Sequence, residues 1–129
     1  MTKLWIVDDD PAYTHLAKFL ITDVDDEADI TTFSDGDHAI DHLTAHLTDA
    51  DELPDLILLD INMPRMDGWQ FLDEYAALQD RLPKKVTIYM LSSSIADGDK
   101  KKAADNPLVK GYVVKPMEGD QYLQIRGEL

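Results

Sequence analysis

The chain has 129 residues, 44% of them apolar and 29% charged, which suits one compact domain of ~100 to 200 residues and leaves no room for a second core. It contains no cysteine, so thiol nucleophiles, redox dithiols, Cys-ligated zinc and iron–sulfur clusters are all excluded. Acids outnumber bases 26 to 12, a net charge of −14, and that field repels a phosphate backbone, so nucleic-acid binding is not expected.

Short runs rich in Val, Ile and Leu alternate with amphipathic stretches, the rhythm of a parallel sheet with crossover helices on both faces. The first run, residues 4–7, precedes Asp10 and Pro11, an N-cap with proline at the first helical position. Tyr13, Leu16, Ala17 and Leu20 then mark one face of a first helix. Residues 30–33 read as a second strand. Ala39, Ile40, Leu43 and Leu47 stripe a second helix over 37–47, and 48–54 reads as a loop.

Residues 56–59 form the third strand, and a third helix begins near Gly68 with Trp69, Leu72, Tyr75 and Ala76 on its inner face. The fourth strand, 86–91, leads to a polar helix over 96–104, and the fifth, 111–114, to a last helix over 119–127. No repeat or linker interrupts this (βα)5 layout, so residues 1–129 are expected to be a single domain with no output domain. No apolar run nears the ~18 residues of a membrane span and the first residues carry no signal-peptide pattern, so a cytoplasmic protein without membrane contact is expected.

In an open parallel sheet, ligands bind beyond the carboxyl ends of the strands. The first strand ends in Asp8, Asp9 and Asp10, and the third in Asp60. Two like charges ~4 Å apart cost on the order of 4 kcal/mol at an effective dielectric of 20, so a cation belongs among these acids. With Asp10 used as the helix cap, Asp8, Asp9 and Asp60 offer oxygen ligands to a small hard ion, and Mg2+ fits because it tolerates few protein ligands. Ser92, Ser93 and Ser94 follow the fourth strand, and Lys115 and Pro116 the fifth. A carboxylate nucleophile, a dication, a hydroxyl and an ammonium together suit acceptance of a phosphoryl group.

In this order and spacing, Asp8-Asp9, the run from Leu58 through Asp60 to Pro64, Met66-Asp67-Gly68, Ser92 and Gly111 through Pro116 make the chain resemble the receiver domain of two-component response regulators. The similarity runs from Lys3 onward and is to the stand-alone, chemotaxis-regulator type. It implies a three-layer, flavodoxin-like, doubly wound α/β fold with strand order 2-1-3-4-5 and a cis Lys115–Pro116 bond. It also implies a phosphorelay protein rather than an enzyme. Asp60 would accept the phosphoryl group from a sensor histidine kinase or histidine phosphotransfer protein. Mg2+ would be held by Asp8, Asp9, Asp60 and the Asn62 backbone carbonyl, and Lys115 and Ser92 would meet the phosphoryl oxygens. Ser92 and Tyr112 would act as the switch that couples this chemistry to a downstream protein target on the face of the fourth helix, fifth strand and fifth helix. Asn62 and Ser94, neither of them charged, flank the route of the hydrolytic water and would tune the lifetime of the phosphoryl group.

Two rival readings differ in class. A Mg2+-dependent phosphohydrolase of the haloacid dehalogenase type carries a second acid two residues after its nucleophile, where this chain has Asn62. A phosphorylation-independent scaffold would keep the fold and signal by binding alone. Three features stand outside the constellation. His38, His42 and His46 recur every four residues, a spacing for a solvated stripe or a metal or pH-sensitive one. Lys100, Lys101 and Lys102 make a wet face or a docking patch. The 21 Asp against 5 Glu fits adaptation to high salt, where self-repulsion is screened.

Overall fold

The computed structural model describes residues 2–93 and 97–129. Along it alternate β1 (Lys3–Val7), α1 (Pro11–Val24), β2 (Asp29–Phe33), α2 (Gly36–Ala45), β3 (Leu56–Asp60), α3 (Gly68–Leu78), β4 (Thr87–Ser92), α4 (Asp97–Ala104), β5 (Gly111–Val114) and α5 (Gly119–Gly127). The five strands pair in parallel in the order β2-β1-β3-β4-β5, the flavodoxin-like order expected.

Side chains alternate across a strand, and here both sets are apolar. Trp5, Val7, Ile57, Leu59, Ile88 and Met90 pack with α2, α3 and Ala103 of α4. Leu4, Ile6, Leu56, Leu58, Leu91 and Val113 pack with Tyr13, Ala17 and Ile21 of α1 and Tyr122 and Ile125 of α5. Central strands buried on both faces therefore read as unbroken apolar runs. The edge strand β2 keeps Asp29 and Thr32 exposed, which is why its apolar signal is short.

Several boundaries differ from the sequence expectation, each for a local reason. Strands β3 and β4 run one residue further, through Asp60 and Ser92, because the ladder is made by backbone: Asp60 pairs with Leu91 and Ser92 with Val114. Helix α2 stops at Ala45 with His46 at its C-cap, and residues 50–52, expected as loop, form a 3₁₀ turn capped by Asp49. In α1 the buried stripe is Tyr13, Ala17 and Ile21, while Leu16 is 42% exposed. In α3 Phe71 takes the buried place expected of Ala76, which faces solvent. Helix α4 is described from Asp97; residue 96, its expected start, lies outside the described residues, as does Ser94.

Candidate functional site

Strand order changes direction at β1, between β2 and β3, and a crevice opens beyond the carboxyl ends there. Asp8 follows β1 and Asp60 ends β3; both are buried, whereas Asp9 is exposed. One carboxylate oxygen each from Asp8, Asp9 and Asp60 lies within 4.8 Å of the others. Asp8 Oδ1 accepts the Asp10 N–H at 2.9 Å, and Asp60 Oδ1 accepts the Asn62 N–H at 3.3 Å. Asp10 itself caps α1, accepting from Ala12 N and Tyr13 N, as its place before Pro11 predicts.

Strand β5 delivers the cation. Lys115 Nζ lies 2.6 Å from Asp8 Oδ2 and 3.3 Å from Asp60 Oδ1. The Lys115 N–H donates to the Ser92 carbonyl at 2.8 Å, and the Lys115–Pro116 peptide is cis. The Ser92 side chain is fully buried at the end of β4. Tyr13, a core residue of α1, also lies with its ring under this ammonium, its centroid 4.5 Å from Nζ. An aromatic ring five positions after Asp8, in the first turn of the following helix, was the signal available for it.

One ammonium against three carboxylates leaves the pocket short of positive charge. Burial, reinforced by the Asp8 charge, pushes the Asp60 carboxyl up from 3.8 to about 6 despite Lys115 and the Asn62 N–H, which pull it down. Burial acts to lower the Lys115 pKa, but the Asp8 and Asp60 carboxylates outweigh it and hold the value above the ordinary one. Asp8 Oδ2 is buried, and the Lys115 ammonium lies 2.6 Å from it. An all-oxygen cluster of three carboxylates against one ammonium fits a hard dication such as Mg2+.

Helix α3 seals one wall. Asp67 and Gln70 form a reciprocal capping box at its start, and Gly68 follows because a Cβ there would sit 2.7 Å from the Asp60 carbonyl oxygen. Beside it Arg65 adopts φ 66°, in the left-handed region costly for a side-chain residue. Its guanidinium is 2.9 Å from Asp35 Oδ2. Asp35 is buried and held below the usual carboxylate range by the His38 N–H first, then by the His38 ring and Arg65. Asp35 is also the N-cap of α2, and no spacing in the sequence joins it to Arg65.

Asp8, Asp9, Asp60 and Lys115 are thus brought together, with Ser92 joined to Lys115 through the backbone. Asn62 is exposed two residues past Asp60, and Tyr112 is half-buried on β5, packed against the cluster beneath α2, α3 and α4. The expected His38, His42 and His46 stripe divides: His38 turns to Asp35 at 2.8 Å, leaving His42 and His46 stacked on each other. Of the three lysines, Lys102 lies over the Trp69 ring at 4.7 Å, while Lys100 and Lys101 are exposed. Among the described residues no helix is long and apolar enough to cross a membrane.

Comparison with known proteins bears on the family and the fold. Residues 4–125 match the family model of the response regulator receiver domain. The chain is 28% identical over 127 residues to chemotaxis protein CheY of Listeria monocytogenes, covering 96% of this chain and 94% of that one. It is 31% identical over 130 residues to protein-glutamate methylesterase/protein-glutamine glutaminase 1 of Methanospirillum hungatei, spanning all of this chain but 35% of that protein. The chain spans about half the length, or less, of several curated relatives it matches, this one among them. Among solved structures, a two-component response regulator from Cytophaga hutchinsonii superposes with TM-score 0.88 at 28% identity, covering 98% of this chain and 94% of that one.

Proposed function

The chain belongs to the response regulator receiver domain family, and from that premise we propose that it is a phosphorelay protein whose Asp60 accepts a phosphoryl group from a phosphohistidine. The observation that carries this reading is the buried Asp60 carboxyl, pushed up to about 6 beside Asp8 and 3.3 Å from the Lys115 ammonium. A carboxylate so poorly neutralised is a reactive nucleophile that gains from arriving cationic and hydrogen-bonding partners.

In the proposed step an Asp60 carboxylate oxygen bonds to phosphorus as the phosphorus–nitrogen bond of the donor histidine breaks. At neutral pH a group titrating near 6 is mostly ionised, as attack requires. Lys115 shifts part of its pairing from Asp8 and Asp60 to the phosphoryl oxygens, and the Ser92 hydroxyl donates to one of them. Asp8, Asp9, Asp60 and the Asn62 backbone carbonyl would hold Mg2+, which when bound supplies charge neutralisation between the carboxylate and the phosphoryl oxygens. Tyr112 would follow Ser92 and alter the α4, β5 and α5 surface, where a downstream protein binds. A coupling of ~1 to 3 kcal/mol gives a 5- to 150-fold affinity change. Asn62 and Ser94 would set how fast water removes the group. In this reading the protein signals by binding and turns over no external substrate, its donor is a sensor histidine kinase or histidine phosphotransfer protein, and it acts in the cytoplasm.

Intact mass with Mg2+ and a small phosphodonor, with and without EDTA, beside Asp60→Asn, tests the proposal. A single labile gain of ~80 Da, the mass of one phosphoryl group, that EDTA prevents and the variant lacks is the expected result. No gain even with a phosphohistidine donor would overturn it and favour a binding-only scaffold.

A further inference from the structure

A His-x3-His pair on a helix sets two imidazoles one turn apart on the same face. In α2 these are His42 and His46, whose rings stack with centroids 4.3 Å apart at 25°. The helix ends at Ala45, so the His42 carbonyl is among its last acceptors without a helical donor. His46 Nδ1 lies 2.8 Å from that oxygen. A carbonyl can only accept, so Nδ1 carries the proton and Nε2 the lone pair. This is the arrangement in which a backbone carbonyl orients a ligating histidine.

The third group comes from outside the helix. Asp49 caps the 3₁₀ turn of residues 50–52, and Glu52 of that turn offers a carboxylate oxygen; one ligand atom from each of His42, His46 and Glu52 lies within 4.8 Å of the others. We propose that His42, His46 and Glu52 form a binding site for a transition-metal dication of the Zn2+ class, separate from the acidic pocket at the other end of α2.

The donor set selects the ion. Two imidazole nitrogens and one carboxylate suit Zn2+ and its Irving–Williams neighbours, whereas Mg2+ prefers oxygen. Tetrahedral Zn2+ holds its donors at ~2.0 to 2.2 Å, so side chains whose ligand atoms lie within 4.8 Å of one another would draw together around the ion. Glu52 is exposed and His46 only half-buried, which leaves both able to move. His42 supplies the fixed ligand, its ring set edge-on to Trp5 at 5.2 Å and against Phe33 at 5.8 Å. The bound ion would clamp the end of α2 to the turn that leads into β3.

The test is titration of the full chain with Zn2+ at about pH 7.5, in moderate KCl and excess Mg2+ so that the acidic pocket and diffuse attraction do not contribute. Calorimetry should give one site per chain, and Cu2+ in place of Zn2+ should quench Trp5, which packs on His42. His46→Ala and Glu52→Gln, both at the surface and checked for native circular dichroism, should each weaken Zn2+ binding about tenfold or more. His15→Ala, an exposed control on α1, should not. Zn2+ binding of equal strength in His46→Ala and Glu52→Gln, its loss in Asp60→Asn, or no binding under these conditions would each overturn the proposal.

Discussion

Asp60→Asn should make the protein more stable at neutral pH while abolishing the proposed phosphoacceptor. Asp60 rises from 3.8 to about 6 on folding, and each pH unit is worth ~1.36 kcal/mol. A raised carboxyl favours the fold fully below its unfolded value of 3.8. That contribution is lost as pH climbs through about 6, so at pH 7.5 the ionised group costs the native state about 3 kcal/mol. Asparagine keeps an oxygen for the Asn62 N–H but gives up attraction to Lys115 at 3.3 Å, while Lys115 retains Asp8 at 2.6 Å. The expected net gain in EDTA is therefore about 1 to 2 kcal/mol, or about 4 to 8 °C in Tm for a domain of this size. Urea unfolding read by tryptophan fluorescence should show this gap at pH 7.5, most of it gone by pH 4.5 as Asp60 protonates. Mg2+ should narrow the gap at pH 7.5 by stabilising only the fully charged cluster. A variant no more stable than wild type at pH 7.5, or a gap indifferent to pH, would refute the electrostatic account of the pocket.

Gly68→Ala should cost about 1 to 3 kcal/mol, because its Cβ meets the Asp60 backbone oxygen at 2.7 Å and Ile61 Cα at 3.0 Å; chemical denaturation would measure it, and no loss would mean α3 can shift away from β3. Tyr122→Phe removes a 2.6 Å hydrogen bond that ties α5 to Asp25 at the end of α1, at a cost of about 1 to 2 kcal/mol. Asp25 is held below its ordinary pKa chiefly by that hydroxyl; its contribution is present above 3.8 and fades as pH falls through the lower native value, so the wild-type advantage should shrink toward acid. Raising KCl should raise Tm, because a net charge of −14 repels itself less when screened; a flat or falling Tm would count against salt adaptation.

The strands were legible because their packing erases ambiguity. From Leu4 to Val7 in β1 and from Leu56 to Leu59 in β3 the side chains entering both layers are all apolar, so none of these residues looks like surface. The errors fall where side-chain polarity and backbone pairing part company. Asp60 and Ser92 are polar, so an apolar run stops before them, yet the ladder carries them in register with Leu91 and Val114. The same limit explains the helix faces. Leu16 and Ile21 of α1 are equally apolar, and only the tertiary packing on the sheet and α5 decides that residue 21 is covered while residue 16 is exposed.

The pocket divides in the same way. Its acids were visible because each sits at a strand end, an address fixed by topology and not by its neighbours in sequence. Partners chosen in three dimensions were not visible. No spacing rule links Tyr13 to Lys115, or Arg65 to Asp35 thirty residues before it. The pairing of Lys115 with Asp8 more closely than with Asp60 was equally hidden, and it bears on the proposed chemistry. Asp8 has the ammonium at 2.6 Å and Asp60 at 3.3 Å, so the less compensated carboxylate is the one at the end of β3, whose pKa burial and the Asp8 charge raise. That asymmetry favours Asp60 as the proposed site of attack, and it arises because β5 brings Lys115 closer to Asp8 than to Asp60.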